Sequence, residues 1–173
     1  PLNNPADAEG LKFRIQSSDV IAAQFEAVDA VPQKMAFSET YSALQTGVVD
    51  GQENTWSNIY SKKFFEVQDY ITESNHGLLD YMVVTSTKWW DGLDPEIRDG
   101  LTQAMNEASD YANSLSAELT AEQRQAVIDS GETEVQQLSG DDFSAWQNAV
   151  KPVWAEFSDD IGQDIIDAAA ACN

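Results

Sequence analysis

Between Asp94 and Ser130 the chain holds one proline, Pro95, and one glycine, Gly100, while Ile97, Leu101, Met105, Ala108, Ala112, Leu115, Leu119, Ala126 and Val127 recur near helical spacing. Asp94-Pro95-Glu96 reads as a helix start, with Pro in the first turn and acids at the positive end of the dipole. Gly131 stands where a helix of this register would end. The pattern predicts one helix of roughly 35 residues, about 50 Å at 1.5 Å per residue. Helices in ordinary globular domains average about 11 to 12 residues. A helix this long is expected to span two lobes.

The residues before it alternate between two periodicities. Leu11-Lys12-Phe13-Arg14-Ile15-Gln16 alternates apolar and polar side chains, a strand with Leu11, Phe13 and Ile15 on one face and Arg14 on the other. Ser17, Ser18 or Asp19 can cap a helix carrying Ile21, Phe25 and Val28, which ends before Pro32. Gln33 to Ala36 reads as a second strand, Ser38 to Gly47 as a helix, and Val48 to Gln52 as a third short strand or turn. A helix from Thr55 or Ser57 to Phe64 and a strand from Val67 to Thr72 follow. Strands alternating with helices point to an α/β fold with a parallel sheet. Beyond it, Gly77 to Thr85 reads as a buried strand and Ser86 to Trp90 as a helical turn. After the long helix come a last strand, Thr133 to Leu138, and closing helices at Asp141 to Phe157 and Ile161 to Ala171.

Charge removes several functions. The 173 residues carry 30 acids against 9 Lys and Arg, a formal −21, with 12 acids and 5 bases in residues 1–86 and 18 and 4 in residues 87–173. No basic stripe exists to release counterions from a polyanion, so nucleic acid and anionic membrane surfaces are not expected partners. With 42% hydrophobic residues and five Trp, five Tyr and seven Phe, the chain can bury a core, unlike acidic disordered segments. No apolar run approaches the roughly 18 to 20 residues of a membrane span, so no direct membrane insertion is expected.

Catalytic constellations are missing as well. One His and one Cys, His76 and Cys172, lie far apart in sequence, which argues against Cys/His catalysis and His-rich zinc ligation. Cys172 reads as a small residue in a terminal Ala-rich turn. No phosphate-binding glycine loop or zinc-protease motif appears, and acidic pairs such as Asp141-Asp142 and Asp159-Asp160 lack calcium-loop spacing. No cofactor, metal or catalytic residue is expected. On residue patterns alone, Arg14 is either a surface charge beside a strand or an anion ligand, and Phe37 either a core aromatic or a pocket wall.

The run Met35-Ala36-Phe37-Ser38-Glu39-Thr40-Tyr41-Ser42-Ala43-Leu44-Gln45-Thr46-Gly47-Val48-Val49-Asp50-Gly51-Gln52-Glu53-Asn54 resembles the signature region of substrate-binding proteins of tripartite ATP-independent periplasmic (TRAP) transporters. Gly10-Leu11-Lys12-Phe13-Arg14-Ile15 resembles that family's arginine-bearing strand, and Ser74-Asn75-His76-Gly77 and the long helix after Trp89-Trp90 also match. The resemblance implies a lobe of a periplasmic-binding-protein-like α/β fold. It further implies that Arg14 clamps a ligand carboxylate through two parallel bonds, which a planar guanidinium can make and a lysine cannot. By the same resemblance Asn54 hydrogen-bonds that carboxylate, Phe37 lines the pocket, and Ser17 is a polar ligand contact. Trp56 and Asn58 shape the wall, with helix packing the plainer reading of Trp56, and His76 is a hydrogen-bonding residue at the lobe crossing.

The wording Gln52-Glu53-Asn54-Thr55-Trp56-Ser57-Asn58 is similar to members that bind C4-dicarboxylates such as succinate, malate or fumarate; sugar acids (uronate, sialate) are the alternative. The implied protein is a periplasmic, monomeric solute-binding protein and not an enzyme, with TRAP membrane subunits as partners. Residues 1–77 and about 120–173 are expected to form the C-terminal ligand-binding lobe. About 78–119 would supply a crossover strand and long helix toward an N-terminal lobe that this sequence does not contain, so the chain reads as part of a longer protein. An acidic helical interaction module and a carboxylate-processing enzyme are the competing classes.

Overall fold

A computed structural model describes residues 1–171, and the expectation for Cys172 falls outside them. Strand β1 (Lys12–Ile15) is central in a three-stranded parallel sheet ordered β2-β1-β3, between β2 (Val31–Lys34) and β3 (Gly51–Gln52). A second parallel sheet pairs β4 (Tyr70–Glu73) with β5 (Glu134–Gln137). Every strand pair is parallel, so the expected α/β architecture holds. Central placement buries Phe13, Arg14 and Ile15 together, covering β1 on both faces. Strand β2 starts two residues earlier than the sequence suggests and includes Pro32; as an edge strand it tolerates a residue with no ladder donor.

Two apolar clusters flank this frame. On one side Phe13 stacks on Phe25 of α1 (Asp19–Glu26), whose N-cap is Ser18, and Ala8, Val28, Ala30 and Trp146 complete the cluster. Gly51 is required here: a Cβ would come within 2.5 Å of the Phe13 ring. On the other side Ala43 and Leu44 of α2 (Thr40–Gln45) pack with Val49, Phe64, Phe65, Ile59 of α3 (Trp56–Ser61) and Val127.

After α4 (Thr87–Asp91), the long helix α5 runs from Pro95 to Ser130, with Asp94 as N-cap and Gly131 in the left-handed conformation at φ 68°. Its 36 residues agree with the sequence reading. Val127 is its buried residue, and the packing onto α3 comes from its last turns. The closing region is α6 (Gly140–Val150), α7 (Pro152–Glu156), α8 (Ser158–Ile161) and α9 (Gln163–Ala170). The single helix expected over Asp141 to Phe157 breaks before Pro152, which has no amide proton to continue the ladder.

One expectation is corrected. Residues 77–86 form no strand, and Leu78, Tyr81, Met82, Val83 and Val84 are 79–87% exposed. The apolar run has strand composition, yet within the described residues no neighbouring strand pairs with it. A strand without a ladder partner gains neither hydrogen bonds nor burial.

Candidate functional site

Arg14 is 4% exposed, which removes the surface-charge reading. Its register partners are Gln33 on β2 and Gln52 on β3, and its side chain reaches the chain just beyond β2. There Nε and Nη2 donate to the Met35 carbonyl oxygen at 3.0 and 2.8 Å. The guanidinium carbon lies 5.6 Å from the centroid of the Phe37 ring, a cation–π approach. Two of five N–H donors are thereby used and the fork is held in one orientation. Burial draws the Arg14 pKa below its ordinary value, and the charge of Glu53 acts in the opposite direction. Among the described residues, no carboxylate lies within salt-bridge distance of Arg14. A buried cation with free donors and no directly paired carboxylate has the chemistry to take up an anion, since desolvated charge is stable only when paired.

Phe37 opens the turn preceding α2. Its ring packs edge-on against Phe64 at 5.8 Å, and Lys62 Nζ lies 5.8 Å from its centroid. It therefore serves the core and faces Arg14 at once. Asn54 follows β3 by two residues. Its Nδ2 donates to Gln52 Oε1 at 2.5 Å, and its Oδ1 accepts from Asn58 Nδ2 at 2.7 Å. Since Gln52 is the register partner of Arg14, the amide chain Gln52-Asn54-Asn58 begins beside the arginine.

Trp56 starts α3 and packs against the cluster around Val127. Arg124 of α5 stacks over its ring at 5.8 Å, and Arg124 Nε and Nη2 donate to Glu73 Oε1 and Oε2 at 2.5 and 3.0 Å. That fork holds the Glu73 carboxyl below the usual carboxylate range, with smaller help from Gln137 and Trp56, and raises the Arg124 pKa in return. Ser17 is exposed at the end of β1, and no hydrogen bond joins it to the other site residues among those described. His76 bonds Ser74 Oγ through Nδ1 at 2.7 Å, and its Nε2 lies 3.7 Å from Glu53 Oε2, which agrees with its expected hydrogen-bonding role.

The structure thus brings Arg14, Phe37 and the Asn54 chain to one region, with Trp56 beside it, and leaves Ser17 at the strand end. Sequence reasoning missed Met35, whose contribution is a backbone oxygen and so independent of side-chain identity. It also missed Gln52, Glu53 and the Arg124–Glu73 pair, the last joining residues 51 apart that no local pattern connects. Two open grooves lie elsewhere: one of about 430 Å³ is lined by Asp19, Ala22, Glu26, Pro32, Lys34 and Phe157 among others, and a second of about 200 Å³ by Pro5, Glu9 and Asp29 among others. Arg14 borders neither. Its surroundings form one wall and do not enclose a cavity. No cluster of potential metal ligands occurs among the described residues.

Comparison with known proteins gives this wall a family. The family model for bacterial extracellular solute-binding protein, family 7 (DctP), matches residues 1–160. A curated relative from Shewanella loihica, a C4-dicarboxylate-binding periplasmic protein, is 56% identical over 173 residues, all of this chain and 52% of that protein. A TRAP periplasmic solute-binding protein from Shewanella oneidensis, solved with bound succinate, superposes with a TM-score of 0.97 at 50% identity, over 100% of this chain and 57% of its own. Another from Pseudomonas aeruginosa, solved with bound L-malate, gives 0.87 at 40% identity, over 90% of this chain and 54% of its own. The chain spans about half the length of the curated relatives it matches. On the family match over nearly its whole length, the chain belongs to the bacterial extracellular solute-binding proteins of family 7.

Proposed function

We propose that this chain is the C-terminal part of an extracytoplasmic solute-binding protein that captures a C4-dicarboxylate and delivers it to the membrane subunits of a TRAP transporter. The observation that carries the proposal is Arg14: a buried guanidinium, oriented by the Met35 carbonyl and Phe37, with donors left over and no carboxylate partner among the described residues. Its remaining terminal donors suit two parallel bonds to one carboxylate. Asn54 adds an amide bond to the same group, Phe37 and Trp56 supply apolar wall, and Ser17 meets the ligand from the strand end. Succinate and L-malate in the similar structures favour a four-carbon diacid over a sugar acid.

Only one wall of the site is present. On this reading residues 1–77 and about 120–171 belong to one lobe, and residues 78–119 pass toward a second lobe contributed by chain beyond this sequence. The exposed apolar run at 78–84 and the exposed Ile97, Leu101, Met105, Tyr111 and Leu119 on α5 are surfaces suited to being covered there. Capture is then a hinge closure, populated because the ligand makes contacts with both lobes only in the closed state. The protein works as a monomer in the periplasm and leaves the ligand chemically unchanged.

Calorimetric titration of the complete natural protein with a panel of organic acids tests this. Heat with succinate, malate or fumarate is expected. Heat with a uronate or sialate and none with the diacids would overturn the substrate class. No heat with any acid, together with ligand-independent partner binding, would favour an interaction module instead.

A further inference from the structure

We infer that Arg124 is a positioning residue for the ligand wall: through Glu73 and Trp56 it fixes the start of α3, and with it Asn54 and Asn58. The inference rests on the carboxylate-binding reading of Arg14 and Asn54.

Helix α3 begins at Trp56, two residues after Asn54, and its N-cap Thr55 makes no side-chain capping bond. The first turn therefore lacks a bond from the N-cap side chain to its free amides. Besides the Asn54–Asn58 bond and the buried Ile59, the turn is held by Trp56, which packs against the Val127 cluster and lies under the Arg124 guanidinium at 5.8 Å. Arg124 in turn is pinned by two bonds to Glu73, the last residue of β4, paired in register with Gln137 on β5. One side chain thus joins the sheet end, the long helix and the helix that carries the amide chain.

The consequence for the site is geometric. Asn58 lies on α3 and bonds Asn54 at 2.7 Å, so a shift of the first turn moves the acceptor and donor groups offered to a carboxylate. Arg124 lies one turn before Val127, where the long helix meets this wall. A displacement of α5 against β4 must break the Glu73 fork or carry Trp56 with it. Arginine suits the role because one planar group forks a carboxylate and stacks on an indole; a lysine keeps the charge and loses both geometries.

The test uses Arg124→Lys, Arg124→Met and Glu73→Gln in the complete natural protein, with titration by succinate, thermal melting, and amide exchange at residues 56–61. Arg124→Met is expected to weaken succinate binding at least fivefold and to speed exchange at 56–61 more than in β1. Arg124→Lys is expected to keep the melting temperature within a few degrees and still bind at least threefold more weakly, which a purely structural ion pair would not produce. Wild-type affinity in both arginine variants, or unchanged exchange at 56–61, overturns the inference. If Arg124→Met does not fold, Arg124→Lys carries both readouts. Should the wild-type protein bind no acid, the carboxylate reading fails, and exchange at 56–61 by itself decides whether Arg124 holds α3.

Discussion

The placement of Arg14 is only half announced by its neighbours in sequence. Alternation along β1 puts it opposite Phe13 and Ile15, and that much is readable from period two. Its 4% exposure is a different matter, because it depends on β2 and β3 closing over both edges of β1 and on the Phe37 turn covering the polar face. The Met35 carbonyl then takes two of its donors and aims the rest. Replacement by Lys should lower affinity for the bound acid at least tenfold, since an ammonium supplies a point charge in place of a fixed fork. Titration of Arg14→Lys against the wild-type protein checks this; equal affinity would remove Arg14 from the clamp. Asn54 belongs to the same scale. Loss of its amide in Asn54→Ala should cost about tenfold, roughly the worth of one hydrogen bond to a charged group, measured the same way.

At the scale of elements, the signals that held are local, and the strand that failed to form needed a neighbour. The long helix α5 declared both its ends, through Asp94-Pro95 and Gly131, because caps are decided within a turn. The break of the closing helix before Pro152, which the sequence reading passed over, has an equally local cause. Residues 77–86, with the composition of a buried strand, stay unpaired because a strand is completed by whatever lies beside it. The Arg124–Glu73 pair links β4 to α5, and its charge state gives a pH prediction. The folded Glu73 carboxyl titrates lower than in the unfolded chain, so its contribution is fully present above the ordinary carboxylate value near 4.5 and is lost as pH falls through the lowered folded value. Melting temperature should therefore drop more steeply below about pH 4.5 in the wild-type protein than in Glu73→Gln. Parallel slopes would mean that the pair adds nothing to stability.

For the whole molecule, the acidic balance and the exposed apolar surface must be taken together. A net charge of −21 argues against extended polyanions as partners, yet is compatible with one small acid beside a buried cation. Residues 87–173 carry the larger share of that charge, while β1 sits in the less acidic half. The apolar side chains at 78–84 and along α5 lie open in this chain. The 173-residue chain by itself should bind a hydrophobic dye and exchange the amides of 77–86 at nearly unprotected rates, whereas the complete natural protein should bind less dye and protect them. Equal exchange in both would count against the crossover reading of this segment.

The amino-acid sequence by itself determined what is decided over a few residues: the alternation of strands and helices, the length and ends of α5, the side of β1 that bears Arg14, and the spacing that links it to Phe37 and Asn54. Tertiary structure alone decided how deeply Arg14 is buried, that a backbone oxygen orients it, that Gln52 stands beside it, and that Arg124 reaches Glu73 and Trp56. The physical reason is range. Periodicity and capping are properties of adjacent residues, whereas burial, register and the pairing of distant charges exist only once separate parts of the chain have packed together.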